Sequence, residues 1–295
     1  MAPQAPASAS GRSGECPLAG SCDWLLARPG CRPGSASLPG RSPCSAKASP
    51  PRAALRPLSG LRIVEGASFV AAPSAGMALA QLGADVIRVD PPGGGSDFHR
   101  WPLSSAGDSL FWASLDKGKR SVTIDHRRAE GRELLIALAT EPGRGAGIFL
   151  DNMVGRHRLT YEDLRARRED VVHVHLQGRN NGSPAVDYTI NAEVGVPQMT
   201  GPQGTDRPVN HVLPAWDLPS GMVAASGILA AVLHRDRTAQ GAQLELAPAD
   251  VAPAGVGSMG WLGRGGNEGR PARPRRKPHV RSWPSAIRSR CSNAN

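Results

Sequence analysis

Residues 61–90 read LRIVEGASFVAAPSAGMALAQLGADVIRVD, and this segment carries a strand–helix–strand pattern. The apolar run 61–65 predicts a short strand, residues 75–82 predict a helix closed by Gly83, and residues 84–90 predict a second strand. A unit of about 30 residues with this order predicts two parallel strands joined by a right-handed crossover.

Strand and helix patterns continue to alternate beyond this unit, as far as residue 261. Further strands are predicted near residues 122–125, 146–150, 171–177 and 241–247. Further helices are predicted over residues 130–140, from residue 159, and over residues 191–199, 221–234 and 249–261. The alternation predicts an α/β fold with a mainly parallel sheet. The first turn lacks a GxGxxG motif, so a dinucleotide-dependent dehydrogenase is poorly supported.

The two ends of the chain differ from its body in composition. Residues 1–57 carry a net charge of +5 and residues 261–295 carry +8, which leaves −3 for the body out of a total of +10. All five cysteines also lie in these ends. We expect residues 1–57 and 262–295 to be disordered, because such a composition buries too little apolar area to offset the ordering entropy.

Several classes of protein are disfavoured by the composition. No apolar signal peptide is visible, and no run approaches the roughly 20 apolar residues that span a bilayer, so we expect a cytoplasmic protein without a membrane partner. An Arg/Ser-rich targeting peptide remains an alternative for the first segment. The basic run from Arg264 to Arg290 could bind nucleic-acid phosphates nonspecifically, but no recognised motif or aromatic pattern accompanies it.

Asp217 is the most informative single residue. It lies in the segment 210–222, NHVLPAWDLPSGM, directly before the apolar run Val223–Leu233. An Asp at the start of a helix is a good N-cap, and spacing alone favours that interpretation. The alternative is a carboxylate nucleophile whose adducts are stabilised by the N–H groups of a helix end.

Two further clusters have both a structural and a functional interpretation. Lys117, Lys119 and Arg120 surround a glycine turn, which is either a solvated loop or a clamp for phosphate groups. His173 and His175 lie on one face of the fourth strand, but no third ligand is evident, so no metal site is predicted.

Taken in order, several segments resemble the class III CoA-transferase family. They are residues 58–65 (LSGLRIVE), 81–89 (QLGADVIRV), 117–121 (KGKRS), 151–152 (DN) and the segment leading to Asp217. The resemblance covers about residues 58–261 and implies a Rossmann-like large domain, within an interlocked homodimer in a complete protein. Segments 69–73, 186–191 and 210–217 are most similar to the branch that moves CoA between two carboxyl groups of one molecule.

The resemblance also implies a mechanism and a set of binding residues. Asp217 matches the catalytic aspartate, which attacks an acyl-CoA thioester and then carries CoA as an aspartyl-CoA thioester. The substrates would be an acyl-CoA and a carboxylate, with no metal and no permanently bound cofactor. The residues that would bind CoA are Val70, Ala71, Arg88, Lys119, Arg120, Asn152, Met153 and Arg158.

The sequence departs from the family pattern in three respects. Asp116 stands where the family has Asn, and its carboxylate is expected to weaken a neighbouring phosphate clamp. Pro219 follows Asp217 by two residues, and the family pattern ends near residue 261, so we expect a sheet that is incomplete at its C-terminus. An inactive CoA-binding remnant and a transferase of the formyl-CoA or carnitine type remain alternatives. A racemase is disfavoured because Gly178-Arg179 replace its expected histidine.

Overall fold

The structure, a computed structural model, describes residues 55–200, 207–261 and 288–290. The strands are β1 (Arg62–Gly66), β2 (Asp85–Asp90), β3 (Arg120–Thr123), β4 (Ile148–Asp151), β5 (Val172–Leu176), β6 (Ala242–Leu246) and β7 (Arg288–Arg290). The α-helices are α1 (Ala71–Gln81), α2 (Leu110–Asp116), α3 (Ala129–Ala139), α4 (Tyr161–Arg165), α5 (Asp187–Glu193), α6 (Asp217–Thr238) and α7 (Pro248–Ser258). The disorder predicted for the two ends falls, apart from residues 55–57 and 288–290, outside the described residues.

All strands belong to one sheet with the order β3-β2-β1-β4-β5-β6-β7. The first six strands are parallel, and β7 pairs with β6 in the antiparallel sense. The predicted α/β fold with a mainly parallel sheet is therefore confirmed. The strand order reverses between β1 and β4, and ligands of open α/β sheets bind at such a point, beyond the carboxyl ends of the strands.

Helices cover both faces of the sheet, as a parallel sheet requires. One face packs Ile63, Val86 and Val172 against Ala75 of α1 and Ile228 of α6. The opposite face is lined by Val64, Val89 and Phe149, among others, and packs against α3 and α4. The central strands β4 and β5 are buried at every position, whereas β3 at the edge of the sheet is largely exposed.

Two helices differ from the sequence prediction for local reasons. Helix α2 was not predicted. It begins because the Oγ atom of Ser109 accepts a hydrogen bond from the N–H of Trp112 at 3.1 Å, which is an N-cap. The single helix predicted over residues 191–199 is wrong. Gly195 has φ = +78° and separates α5 from a 3-10 turn over Val196–Gln198.

Helix α6 crosses one face of the sheet from its carboxyl edge to its amino edge. At its first turns Gly221 lies against α1, so closely that a Cβ atom there would lie 2.0 Å from Ser74 Oγ and 2.6 Å from the Ala71 carbonyl oxygen. At its last turn the buried Arg235 donates to the carbonyl oxygen of Ala146 at 2.9 Å, just before β4. The start of α6 is thus fixed to α1, and its end is fixed beside the start of β4.

Helix α6 is also the one described helix whose length and composition would suit a membrane span. Core helices of folded domains pass the same test, and α6 contributes Ala224, Ala225 and Ile228 to the core shared with α1 and the sheet. Its composition is therefore accounted for by packing within this domain.

We predict that Gly221→Ala destabilises the domain by about 1–3 kcal/mol, because the added methyl group has no space beside α1. Urea unfolding would measure the change in the free energy of unfolding. Gly255→Ala is the matched control, since a Cβ atom there would lie 3.4 Å from its nearest neighbour in Trp216. Equal stability of both variants would contradict the close packing of α6 on α1.

Candidate active site

The loops that follow β1 and β4 meet at the point where the strand order reverses. The side chain of Asn152 accepts from the N–H of Ser68 at 3.0 Å and donates to the carbonyl oxygen of Ser68 at 2.8 Å. Asp97 accepts from the N–H of Phe69 at 2.8 Å. Phe69 has φ = +68°, a left-handed conformation that such contacts must stabilise. Three side-chain hydrogen bonds thus hold the turn that leads into α1.

The first turn of α1 presents backbone N–H groups at this place. Val70 is the N-cap residue and supplies no capping side chain, and Ser74 makes the first bond back to the Val70 carbonyl oxygen, at 2.8 Å. The N–H groups that precede the first helical hydrogen bond have no partner within the helix, and together they carry the positive end of the helix dipole. Val70 and Ala71 therefore offer an environment that suits a negative charge.

Asp217 faces the same region from α6. It is the first residue of the helix and lies one turn before Gly221, so both residues lie on the face turned towards the start of α1. Asp217 is not the N-cap, because that position belongs to Trp216. The interpretation that spacing favoured is therefore wrong.

The cap of α6 comes from another helix. The carboxylate of Asp187, in α5, accepts from the N–H groups of Trp216 at 2.5 Å and Asp217 at 3.1 Å. The indole N–H of Trp216 donates to Asn191 at 2.9 Å, and the Asn191 amide donates to Asn210. Because Asp187 stabilises the helix end, the side chain of Asp217 remains available for chemistry.

The surroundings of Asp217 make its carboxylate more basic than usual. Burial, followed by the negative charge of Asp187, raises the pKa of Asp217 from 3.8 to about 6. The group is therefore ionised at neutral pH, yet it is poorly solvated. Such a carboxylate is a better nucleophile than one on an open surface.

Arg88 and Lys119 lie inside the domain. The guanidinium group of Arg88 donates to Asp90, Asp97 and Asp116 at distances between 2.8 and 3.1 Å. Lys119 donates to Glu65 at 2.7 Å and to Asp116 at 2.8 Å. Both side chains are only 1% exposed. Their CoA-binding role stays a prediction, while the observed contacts show both cations neutralising buried carboxylates.

Two carboxylates of this buried network, Asp116 and Glu65, have environments that the sequence did not reveal. Asp116 was expected to weaken a phosphate clamp, but it faces inward as the counterion of Arg88 and Lys119. Burial raises the pKa of Glu65 to about 7, although the ammonium group of Lys119 opposes that rise.

Arg120 lies at the other edge of the sheet. It is the first residue of β3 and pairs with Asp85, the first residue of β2, at 2.6 Å. Parallel strands start at the amino edge, so the structure does not bring Arg120 together with the loops after β1 and β4.

His173 and His175 do have a third partner, which sequence analysis did not find. Their ring nitrogens lie 2.6 and 2.8 Å from the two oxygens of Asp151, and the three ligand-type atoms lie within 4.8 Å of one another. The other ring nitrogen of His175 lies 3.5 Å from Nη1 of Arg158. Because an ionised carboxylate can only accept, the short contact with Asp151 places the His175 proton on Nδ1. The geometry thus fits a hydrogen-bonded triad better than a metal site.

The carboxylate of Asp151 is hydrogen-bonded to both histidines of the triad. Burial by itself would raise the pKa of Asp151, but the hydrogen bonds from His173 and His175 outweigh that effect and lower the pKa to about 2. Asp151 also accepts from the N–H of Met153 at 2.9 Å. The triad therefore shapes the loop that carries Asn152, Met153 and Arg158.

Comparison with known proteins agrees with this architecture. The model of CoA-transferase family III matches residues 58–285. The chain belongs to this family. It is 52% identical over 206 residues to 2-methylfumaryl-CoA isomerase of Chloroflexus aurantiacus, a match that covers 70% of this chain and 50% of the relative.

Two further relatives support the family assignment. Succinate–glutarate CoA-transferase of Agrobacterium fabrum is 32% identical, over 67% of this chain and 52% of the relative. The crystal structure of a CaiB/BaiF family protein from Brucella suis superposes with a TM-score of 0.63 at 28% identity, over 70% of this chain and 57% of that one. The chain spans about half the length of the curated relatives it matches.

We predict that Asp217→Asn stabilises the domain at pH 8 by about 1–2 kcal/mol, a value reduced for partial solvent screening. The folded pKa of about 6 exceeds the ordinary 3.8, so ionisation of Asp217 destabilises the fold increasingly as the pH rises through this window. The gain should shrink towards pH 4.5, as measured by urea unfolding at both pH values.

Asp236→Asn is the control for this prediction, since it removes an exposed carboxylate near the other end of α6. It should change the free energy of unfolding little at either pH. A destabilised Asp217→Asn variant at pH 8 would contradict the raised pKa of Asp217.

Proposed function

We propose that the protein transfers CoA between carboxylates through Asp217, and that its reaction is the intramolecular transfer performed by 2-methylfumaryl-CoA isomerases. The observation that carries the proposal is the Asp217 carboxylate itself. It is half-buried, has a raised pKa, is freed from capping by Asp187 and faces the start of α1. The 52% identity to the isomerase of Chloroflexus aurantiacus favours that substrate over others of the family.

In the first step the Asp217 carboxylate attacks the thioester carbonyl of the acyl-CoA. A C–O bond forms and the C–S bond breaks, which gives a mixed anhydride and the CoA thiolate. The thiolate then attacks the Asp217 carbonyl carbon and releases the acyl group as a carboxylate. The product on the enzyme is an aspartyl-CoA thioester, and no redox change occurs.

The second half of the reaction reverses these steps with another carboxylate. The acceptor carboxylate attacks the aspartyl thioester, which breaks its C–S bond and gives a new anhydride and the CoA thiolate. The thiolate then attacks the acyl carbonyl carbon of the acceptor, which breaks the anhydride C–O bond and regenerates the Asp217 carboxylate. In an isomerase the acceptor is the other carboxyl group of the same methylfumarate. Backbone N–H groups around Val70 and Ala71 would stabilise the oxyanions that develop beside Asp217.

CoA would bind along the edge formed by the loops after β1 and β4. Val70 and Ala71 would contact it through the backbone, and Asn152, Met153 and Arg158 would contact it from the second loop. Such a contact does not need Arg120, which lies at the opposite edge of the sheet. It also does not need Arg88 and Lys119, which are buried. The homodimer of the family would supply the rest of the site.

We predict that incubation with 2-methylfumaryl-CoA adds CoA covalently to the peptide that carries Asp217. Mass spectrometry of the intact chain and of its peptides would detect the adduct, and Asp217→Asn would abolish it. A folded chain that binds CoA without forming the adduct would contradict the transfer reaction and favour an inactive CoA-binding protein instead.

We further predict that the rate of adduct formation rises with pH through about 6, the pKa of Asp217. Asp187→Asn should shift this pH profile to lower values, because it removes the negative charge that helps to raise the pKa of Asp217 while its amide oxygen can still cap α6. Rates measured from pH 5 to pH 8 test the shift. An unchanged midpoint would show that Asp187 does not act electrostatically on Asp217.

A further inference from the structure

Arg100, which sequence analysis did not single out, is an exposed cation held between two aromatic rings. The central carbon of its guanidinium group lies 5.5 Å from the centre of the Phe69 ring and 5.0 Å from that of Phe111. Two such cation–π contacts restrict the side chain and leave the edge of the guanidinium group open to solvent.

The backbone of Arg100 is fixed as well. Its N–H donates to the carbonyl oxygen of Asp97 at 3.0 Å, and its own carbonyl oxygen accepts from the hydroxyl group of Ser109 at 2.6 Å. Ser109 and Asp97 are both buried. The cation is therefore oriented before any ligand arrives, which lowers the entropy lost on binding.

Arg100 also differs from the neighbouring cations in its charge balance. Arg88, Lys119 and Arg120 are each paired with at least one carboxylate. Within residues 55–200 and 207–261, no carboxylate lies within 4.0 Å of the Arg100 guanidinium group. Its positive charge is thus available for an anion from outside the domain.

The position of Arg100 relates this free cation to the candidate active site. Phe69, on which it stacks, belongs to the turn that leads through Val70 into α1. Asp217 faces the start of the same helix from α6. Arg100 therefore lies, through Phe69, beside the turn that leads into the N-terminus of α1.

We propose that Arg100 binds the free carboxylate of a dicarboxylic acyl-CoA and thereby selects such substrates over monocarboxylic ones. This inference rests on the proposed function of Asp217. A guanidinium group forms paired, charge-assisted hydrogen bonds with a carboxylate, and the second carboxyl group is what distinguishes methylfumarate from a simple enoyl group. A phosphate of CoA is the other anion with suitable chemistry, and the test separates the two.

The test compares two thioesters that differ only at this carboxylate. They are 2-methylfumaryl-CoA and 2-methylbut-2-enoyl-CoA, in which a methyl group replaces the carboxylate. Binding to the chain with Asp217→Asn, which prevents turnover, would be measured by calorimetry with and without Arg100→Met. Arg237→Met is the matched control, since it removes an exposed arginine near the other end of α6.

We expect Arg100→Met to weaken binding of 2-methylfumaryl-CoA by about tenfold or more, as the loss of a charged hydrogen-bonded pair does. Binding of 2-methylbut-2-enoyl-CoA should change less than twofold, and Arg237→Met should affect neither. Equal weakening of both thioesters would assign Arg100 to a CoA phosphate and overturn the proposal. No effect on either would also overturn it. Failure of the unmodified chain to bind any acyl-CoA would instead contradict the proposed function.

Discussion

The approach of α6 to α1 at Gly221 is the constraint on which the candidate site depends. At Gly221 the two helices approach so closely that a Cβ atom would lie 2.0 Å from Ser74 Oγ and 2.6 Å from the carbonyl oxygen of Ala71. That contact fixes α6 beside the first turn of α1. Asp217, one helical turn earlier, lies on the same face of α6 as Gly221.

At the N-terminus of α6, one residue caps the helix and a different residue is the candidate nucleophile. A helix that begins with Asp would ordinarily use that side chain as a cap. Here Asp187 takes over the task from a different helix, so Asp217 gains no capping hydrogen bond that would lower its pKa. The domain thus keeps a carboxylate that destabilises the fold at the start of α6, a conflict that functional sites commonly show.

A buried ionic network around Arg88 is hydrogen-bonded to the Phe69 turn at the candidate site. Arg88 binds Asp97 through one carboxylate oxygen, and the other oxygen of Asp97 accepts from the N–H of Phe69. Removing one partner of such a network leaves an uncompensated buried charge, which is strongly destabilising. Arg88 is therefore connected to the Phe69 turn through Asp97, although its own side chain is almost wholly buried.

The sequence was sufficient to predict six strands in order and their mainly parallel α/β sheet, because these depend on local pattern and on family motifs. Helix α2 was not predicted, and the catalytic role of Asp217 stays a prediction. The functions of individual charged residues were harder to predict. Arg88 in VIRVD and Lys119 in KGKRS have the same local pattern whether they face a ligand or four buried carboxylates, and only the tertiary fold distinguishes the two. Asp187 lies 30 residues from Asp217 in sequence, so its capping role required the structure.

The sequence also contained no local signal for Arg100 or for the triad around Asp151. Phe69 and Phe111 stack on Arg100 only because the loops after β1 and β2 meet α2. Asp151 meets His173 and His175 because β4 and β5 pair in register, with Phe149 opposite His173 and Asp151 opposite His175. Register between parallel strands cannot be read from either strand alone.

In the proposed reaction the Asp217 carboxylate becomes covalently joined first to the acyl group and then to CoA. Oxygen-18 in the free carboxylate of 2-methylfumaryl-CoA tests it most directly, because an anhydride route leaves one labelled oxygen on the aspartate after turnover. We predict that the peptide containing Asp217 acquires the label and that no other peptide does. Turnover that leaves this peptide unlabelled would contradict the account.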